Sequence, residues 1–85
     1  MKNLIDEDKL MKRITVDSRV LVGKPVIRGL RISVTQILKL LARGIPIKDI
    51  LEEYPELEFE DIQAVLLYSA KLVESEQIFE VQQAS

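Results

Sequence analysis

The stretch Gly23-Lys24-Pro25-Val26-Ile27-Arg28-Gly29-Leu30-Arg31-Ile32 decides the reading of this chain, because it describes a basic hairpin that feeds straight into a capped helix. Val26-Ile27-Arg28 and Arg31-Ile32-Ser33 are short strand-like runs joined by Gly29-Leu30. Glycine at the first central position is what a two-residue type II′ turn requires, since only glycine takes that positive φ cheaply. This register sets Ile27 opposite Ile32 and Arg28 opposite Arg31. Two like charges directly across a strand pair repel unless an acid lies between them. The hairpin is therefore expected to hold an acid, supplied by this chain, a second copy, a partner protein or a phosphate.

Downstream, Ser33 and Gln36 form an S-x-x-Q capping box, with Ile32 and Ile37 placed as its hydrophobic staple. Val34, Ile37, Leu38 and Leu41 follow at the helical apolar period, and Gly44 closes that helix at the usual C′ position. Ile47, Ile50, Leu51 and Tyr54 line a second, short helix that Pro55 stops. A third, longer helix begins near Phe59, with Ile62, Val65, Leu66, Ser69, Ala70 and Val73 as its core face and Leu67, Tyr68 and Leu72 widening it. Three helices with a glycine-containing turn between the first two predict a helix-turn-helix layout. Upstream, Ile14–Asp17 and Val20–Val22 are β-branched enough to be strands that join the hairpin in a small sheet, and residues 1–13 are read as a frayed helix. The expected fold class is mainly α: a three-helix helix-turn-helix, homeodomain-like or winged-helix-like, with a short N-terminal β-hairpin.

The 85 residues make one domain, with a core over 13–75 and a tail over 76–85. A chain so small leaves apolar surface hard to bury alone, and 47% hydrophobic content makes a homodimer the expected outlet. With no cysteine and no histidine, there is no disulfide framework, and the usual metal ligand and general base are missing. No phosphate-cradling glycine loop and no nucleophile beside a base stand out, so no enzymatic role, cofactor or metal is expected. The N-terminus lacks the apolar core of a signal peptide, and no apolar run approaches the roughly 18 residues of a membrane span. A soluble, cytoplasmic protein with no membrane partner is the expectation.

The formal charge of −2 hides an asymmetry: residues 1–48 hold eleven of the twelve Lys and Arg against four acids, and residues 49–85 hold Lys71 against ten acids. Such a split bears on partners, although pairing within the fold is the ordinary use of mixed charge.

Gly23 to Ile32, then Val34 to Gly44, then Ile50-Leu51-Glu52-Glu53-Tyr54-Pro55, then Glu60-Asp61-Ile62 and Ala64, resemble the domain-of-unknown-function 433 family over roughly residues 13–75. The resemblance implies a small helix-turn-helix domain. It also implies an antitoxin role, related to VapB-type proteins and paired with a nuclease toxin of the PIN-like class. The chain departs from the family pattern at several positions. Asp17-Ser18 stands for Asp-Pro, Val22 for a second glycine and Leu30 for threonine, while Pro46 and Glu58 replace capping Ser or Thr.

A DNA-reading role for the third helix is disfavoured. Its first turns carry Glu58, Glu60, Asp61 and Gln63 with no Lys or Arg before Lys71. Acids there suit the helix dipole but repel phosphates. The candidate DNA contacts are instead Lys24, Arg28 and Arg31 on the hairpin with Lys39 and Arg43 on the first helix, where residues four apart share a face. The competing reading ties Arg28 and Arg31 to carboxylates such as Asp17, or to Asp49 and Glu53 of a second copy, since arginine suits bidentate pairs. Leu67, Tyr68 and Leu72, with Ile78 and Phe79 of the tail, are the candidate dimer or partner interface. The functional expectation is a non-enzymatic antitoxin-like module that binds a cognate nuclease toxin, with DNA as a further partner. The alternative is a homodimeric interaction domain without nucleic-acid binding.

Overall fold

In a computed structural model, which describes residues 6–75, the helix expected after the hairpin is α2, Val34–Ala42. Its capping box is complete, with the Gln36 N–H donating to Ser33 Oγ at 3.0 Å and the Ser33 N–H donating to Gln36 Oε1 at 3.3 Å. The staple residues Ile32 and Ile37 both lie in the core. Gly44, at φ +83°, ends α2 in a Schellman motif, its N–H bonded to Leu41 O and that of Ile45 to Leu40 O. Pro46 then opens α3, Ile47–Glu53, with no side-chain cap, and α4 runs over Phe59–Ser75. Of the frayed helix read over residues 1–13, the described part forms a short helix, α1, over Glu7–Met11, capped by the Asp6 carboxylate, which accepts from the Lys9 N–H. The described residues are thus mainly helical, with four α-helices and a two-stranded antiparallel sheet.

The sheet corrects the hairpin reading. Strand β1, Ile14–Thr15, pairs antiparallel with β2, Val26–Ile27, in the register Ile14 to Ile27 and Thr15 to Val26. The second arm of the expected hairpin forms only an isolated bridge between Val26 and Ser33, and the Ile27 N–H bonds Ile32 O. Ile27 and Ile32 therefore do face each other, but the turn sits one residue earlier than expected. The Leu30 N–H donates to Ile27 O across a turn whose central residues, Arg28 and Gly29, have φ of +48° and +74°. Positive φ at both central positions is the type I′ pattern, not II′. Arg28 is consequently a turn residue and does not lie opposite Arg31.

Val20–Val22 does not form a strand either. Val20 leads into a 3-10 turn over Leu21–Gly23 in which Leu21, Val22 and Gly23 all have positive φ. Asp17 organises this loop: its backbone oxygen accepts from the Val20 N–H, and its carboxylate accepts from the Arg19 N–H. Those local bonds override the β-branched composition. A valine held left-handed is costly, and Val22 is 92% exposed, so packing does not compensate it.

The core gathers Ile27 and Ile32 from the hairpin segment, Val34 and Ile37 from α2, Ile50 from α3, Leu57, and Ile62 and Val65 from α4. Along α4 the buried residues are Asp61, Ile62, Ala64 and Val65, with Tyr68 packed against the core. Leu66, Ala70 and Val73, expected inside, are exposed. The reason is rotational: the carboxylate of Asp61 is drawn inward, so the buried line runs through 61, 64, 65 and 68 and turns 66, 70 and 73 to solvent. Helix α1 lies against α4 and buries Leu10.

Candidate functional site

Helix α4, the turn after β2 and the residue just before β1 meet at one carboxylate. Asp61 has no solvent exposure, and its two oxygens accept four hydrogen bonds. Arg28 grips it as a fork, with Nε to Oδ1 and Nη2 to Oδ2 both at 3.0 Å. Arg13 Nη1 reaches Oδ1 at 2.9 Å, and the Glu58 N–H donates to Oδ2 at 2.8 Å. The last bond is half of a capping box on α4, from the third helical residue back to the residue before the helix. The arginines are further anchored, Arg28 Nη2 to Glu56 O at 2.6 Å and Arg13 Nη1 to Glu58 Oε1 at 2.8 Å. Burial pushes the Asp61 carboxyl upward. The hydrogen bonds from Arg28, the Glu58 N–H and Arg13 outweigh it and hold the group below its ordinary range.

Such a carboxylate is an ion-paired clamp. Its lone pairs are filled by fixed donors and solvent is excluded, so it is not free to accept a substrate proton. It also explains the left-handed Arg28: the turn that costs backbone energy is the one that aims the guanidinium at α4. The expectation that the hairpin holds an acid is met for Arg28, and the acid comes from this chain. Asp17, named as a potential partner for Arg28 and Arg31, pairs instead with Arg19 at 2.9 Å.

The other proposed DNA contacts divide from Arg28. Lys24, Arg31, Lys39 and Arg43 are all exposed, and among the described residues none makes a side-chain hydrogen bond or ion pair. Lys39 and Arg43 ride on the outer side of the doubly capped α2, Arg31 lies two residues before its N-cap Ser33, and Lys24 follows the 3-10 turn. Glu52, Glu53, Asp49 and Glu56 are exposed as well, and among the described residues no cluster of three or more acids has metal-holding geometry. Of the proposed interface residues, Tyr68 is half-buried against the core, Leu67 is half-buried in a cleft beside α1, and Leu72 is exposed. Ile78 and Phe79, with the rest of the tail, lie outside the described residues.

Residues 14–69 match the family described as Protein of unknown function (DUF433). The chain belongs to the DUF433 family. In this DUF433 domain two separate stretches of the matched region meet in space, since Arg28 lies in the Gly23–Ile32 stretch and Asp61, 33 positions later, in the Glu60–Ile62 stretch. No curated protein and no solved structure matches the chain.

Asp61 and Arg13 were absent from the sequence-based site. One signal existed: Asp61 shares its helix face with Ala64, Val65 and Tyr68, and an acid on an apolar face needs a cation. The hairpin pattern singles out Arg28 and Arg31 as holders of an acid, but nothing in the sequence chooses Arg28 over Arg31 or points to Arg13.

Proposed function

We propose that this DUF433 domain is a non-enzymatic, antitoxin-like module in a helix-turn-helix arrangement, which binds and neutralises a PIN-like nuclease and contacts DNA through Lys24, Arg31, Lys39 and Arg43. The observation that supports this reading is the division of its charge. Arg13 and Arg28 are spent on Asp61, while four cations on and around α2 face solvent with no ion-pair partner among the described residues. A rigid helix presenting uncommitted cations suits phosphate contact, and the acids of residues 49–75 suit a basic protein partner. The first turn of α4 is locked by the Asp61 clamp and stays acidic, so α4 is not the DNA-reading element of this proposal.

The test is co-expression with the product of the neighbouring reading frame, followed by affinity purification and an RNA cleavage assay. The proposal expects a stable complex in which the RNA survives, and low-salt binding of duplex DNA that Arg31→Glu with Arg43→Glu abolishes. Unprotected RNA and no complex contradict it. The second reading, a homodimeric interaction domain without nucleic-acid binding, is favoured by the exposure of Leu72 on α4. It gains if sedimentation shows a dimer and no duplex binds even at low salt.

A further inference from the structure

Helix α4 carries an apolar line on its outer side. Phe59, Leu66 and Val73 are 50%, 47% and 61% exposed and stand seven residues apart, with Gln63 and Ala70 between them. Seven-residue spacing drifts only about 20° per repeat, so the line runs nearly parallel to the axis for about 21 Å. It contains no charge. Beside Leu66 it opens into a cleft of about 320 Å³ between α1 and α4, lined by Leu10, Leu66 and Leu67 with Glu7 and Gln63 at its polar margin. Its volume exceeds that of a single bulky apolar side chain. The line and the cleft together have the form of a helix-accepting groove with one anchor pocket.

The charges beside this groove decide its occupant. Glu60 and Glu74 are exposed, each one residue beyond a member of the line. Lys71, the only Lys or Arg after residue 48, is already 3.4 Å from Glu7. The rim is therefore acidic. A second copy packed through this same face would bring the same acids against it, and a nucleic acid would be repelled. A helix with an apolar face flanked by Lys or Arg would be complemented on both counts.

We infer that the α1–α4 groove is a docking surface for a basic amphipathic helix of a partner protein. Apolar side chains of that helix fill the Leu66 cleft and cover Phe59 and Val73, and its cations meet Glu60 and Glu74. The inference rests on reading the chain as a protein-binding module and assigns the surface that such a module uses.

The test uses the full chain and two synthetic helical peptides of about 18 residues with leucines at three- and four-residue spacing. One peptide has lysines flanking the leucines, the other glutamates. Fluorescence anisotropy should show the lysine peptide binding, more weakly as salt rises, and the glutamate peptide not binding. Leu66→Gln and Val73→Gln, both at exposed positions and confirmed folded by circular dichroism, should each weaken the lysine peptide about tenfold. Glu60→Lys with Glu74→Lys should transfer the preference to the glutamate peptide. Equal binding of both peptides, no binding of either, or indifference to the substitutions overturns the inference. So does a wild-type dimer in sedimentation that Leu66→Gln dissociates, because the second copy is then the occupant. A nuclease complex that survives Leu66→Gln and Val73→Gln with its RNA protected rejects this surface while leaving the antitoxin reading intact.

Discussion

Replacing Asp61 by alanine tests the clamp where it is most exposed to disproof. The substitution removes the acceptor of two Arg28 bonds, one Arg13 bond and the Glu58 N–H. Charge-assisted bonds contribute about 1.5–3 kcal/mol each, but their sum overstates the loss because the freed donors regain water or keep other partners. Arg13 and Arg28 side chains are 26% and 36% exposed, so both can rehydrate, and each keeps its second partner in Glu58 or Glu56. Breaking a buried ion pair costs about 3–5 kcal/mol, and the solvent access of the arginines places this case near about 3 kcal/mol. For a domain of this size that lowers Tm by about 12–24 °C. Urea and thermal unfolding followed by far-ultraviolet circular dichroism measure it. Asp61→Asn keeps the shape and one acceptor and should fall between wild type and Asp61→Ala. An Asp61→Ala protein within about 0.5 kcal/mol of wild type, the range of an ordinary surface change, refutes the clamp.

Acid sensitivity follows from the same carboxylate. Because its folded pKa is lowered, the stabilisation is complete above the ordinary aspartate value near about 3.9 and is lost as pH falls below it, so Asp61→Asn should flatten the wild-type decline in Tm there. Val22→Gly should raise stability by about 0.5–1 kcal/mol in urea melts, since it relieves a left-handed valine at the cost of some glycine entropy and buries nothing less. Ser33→Ala should cost about 1 kcal/mol by removing the acceptor for the Gln36 N–H, and a serine-to-threonine change at the same position should restore most of it.

The parts of this fold that were legible in the sequence are those fixed by local chemistry. Ser33 with Gln36, Gly44 and Pro55 each act within a few residues of themselves, and α2 begins and ends, and α3 ends, where those residues place them. The errors share a non-local cause. The turn at Arg28-Gly29 and the rotation of α4 are both set by a contact between residues 33 positions apart, which no period or turn rule contains. Val20–Val22 reads as strand by composition, yet the Asp17 bonds bend it into a left-handed turn. The cations of the candidate site were legible as a group, but Arg28 and Arg31 are alike in sequence. Distance separates them: one is held by Asp61, and the other stands in solvent. The outer line of α4 was hidden for the same reason, since Leu66 and Val73 were assigned to a core face that the inward Asp61 had already displaced.

The most direct test of the account is a double-mutant cycle between Arg28 and Asp61, measured by urea unfolding of Arg28→Ala, Asp61→Ala and the double variant. A clamp that joins Arg28 to Asp61 predicts a coupling energy of about 2–3 kcal/mol, with the double variant little worse than Asp61→Ala alone. Additive losses, with a coupling under about 0.5 kcal/mol, would mean that Arg28 and Asp61 stabilise the fold independently and that no clamp joins them.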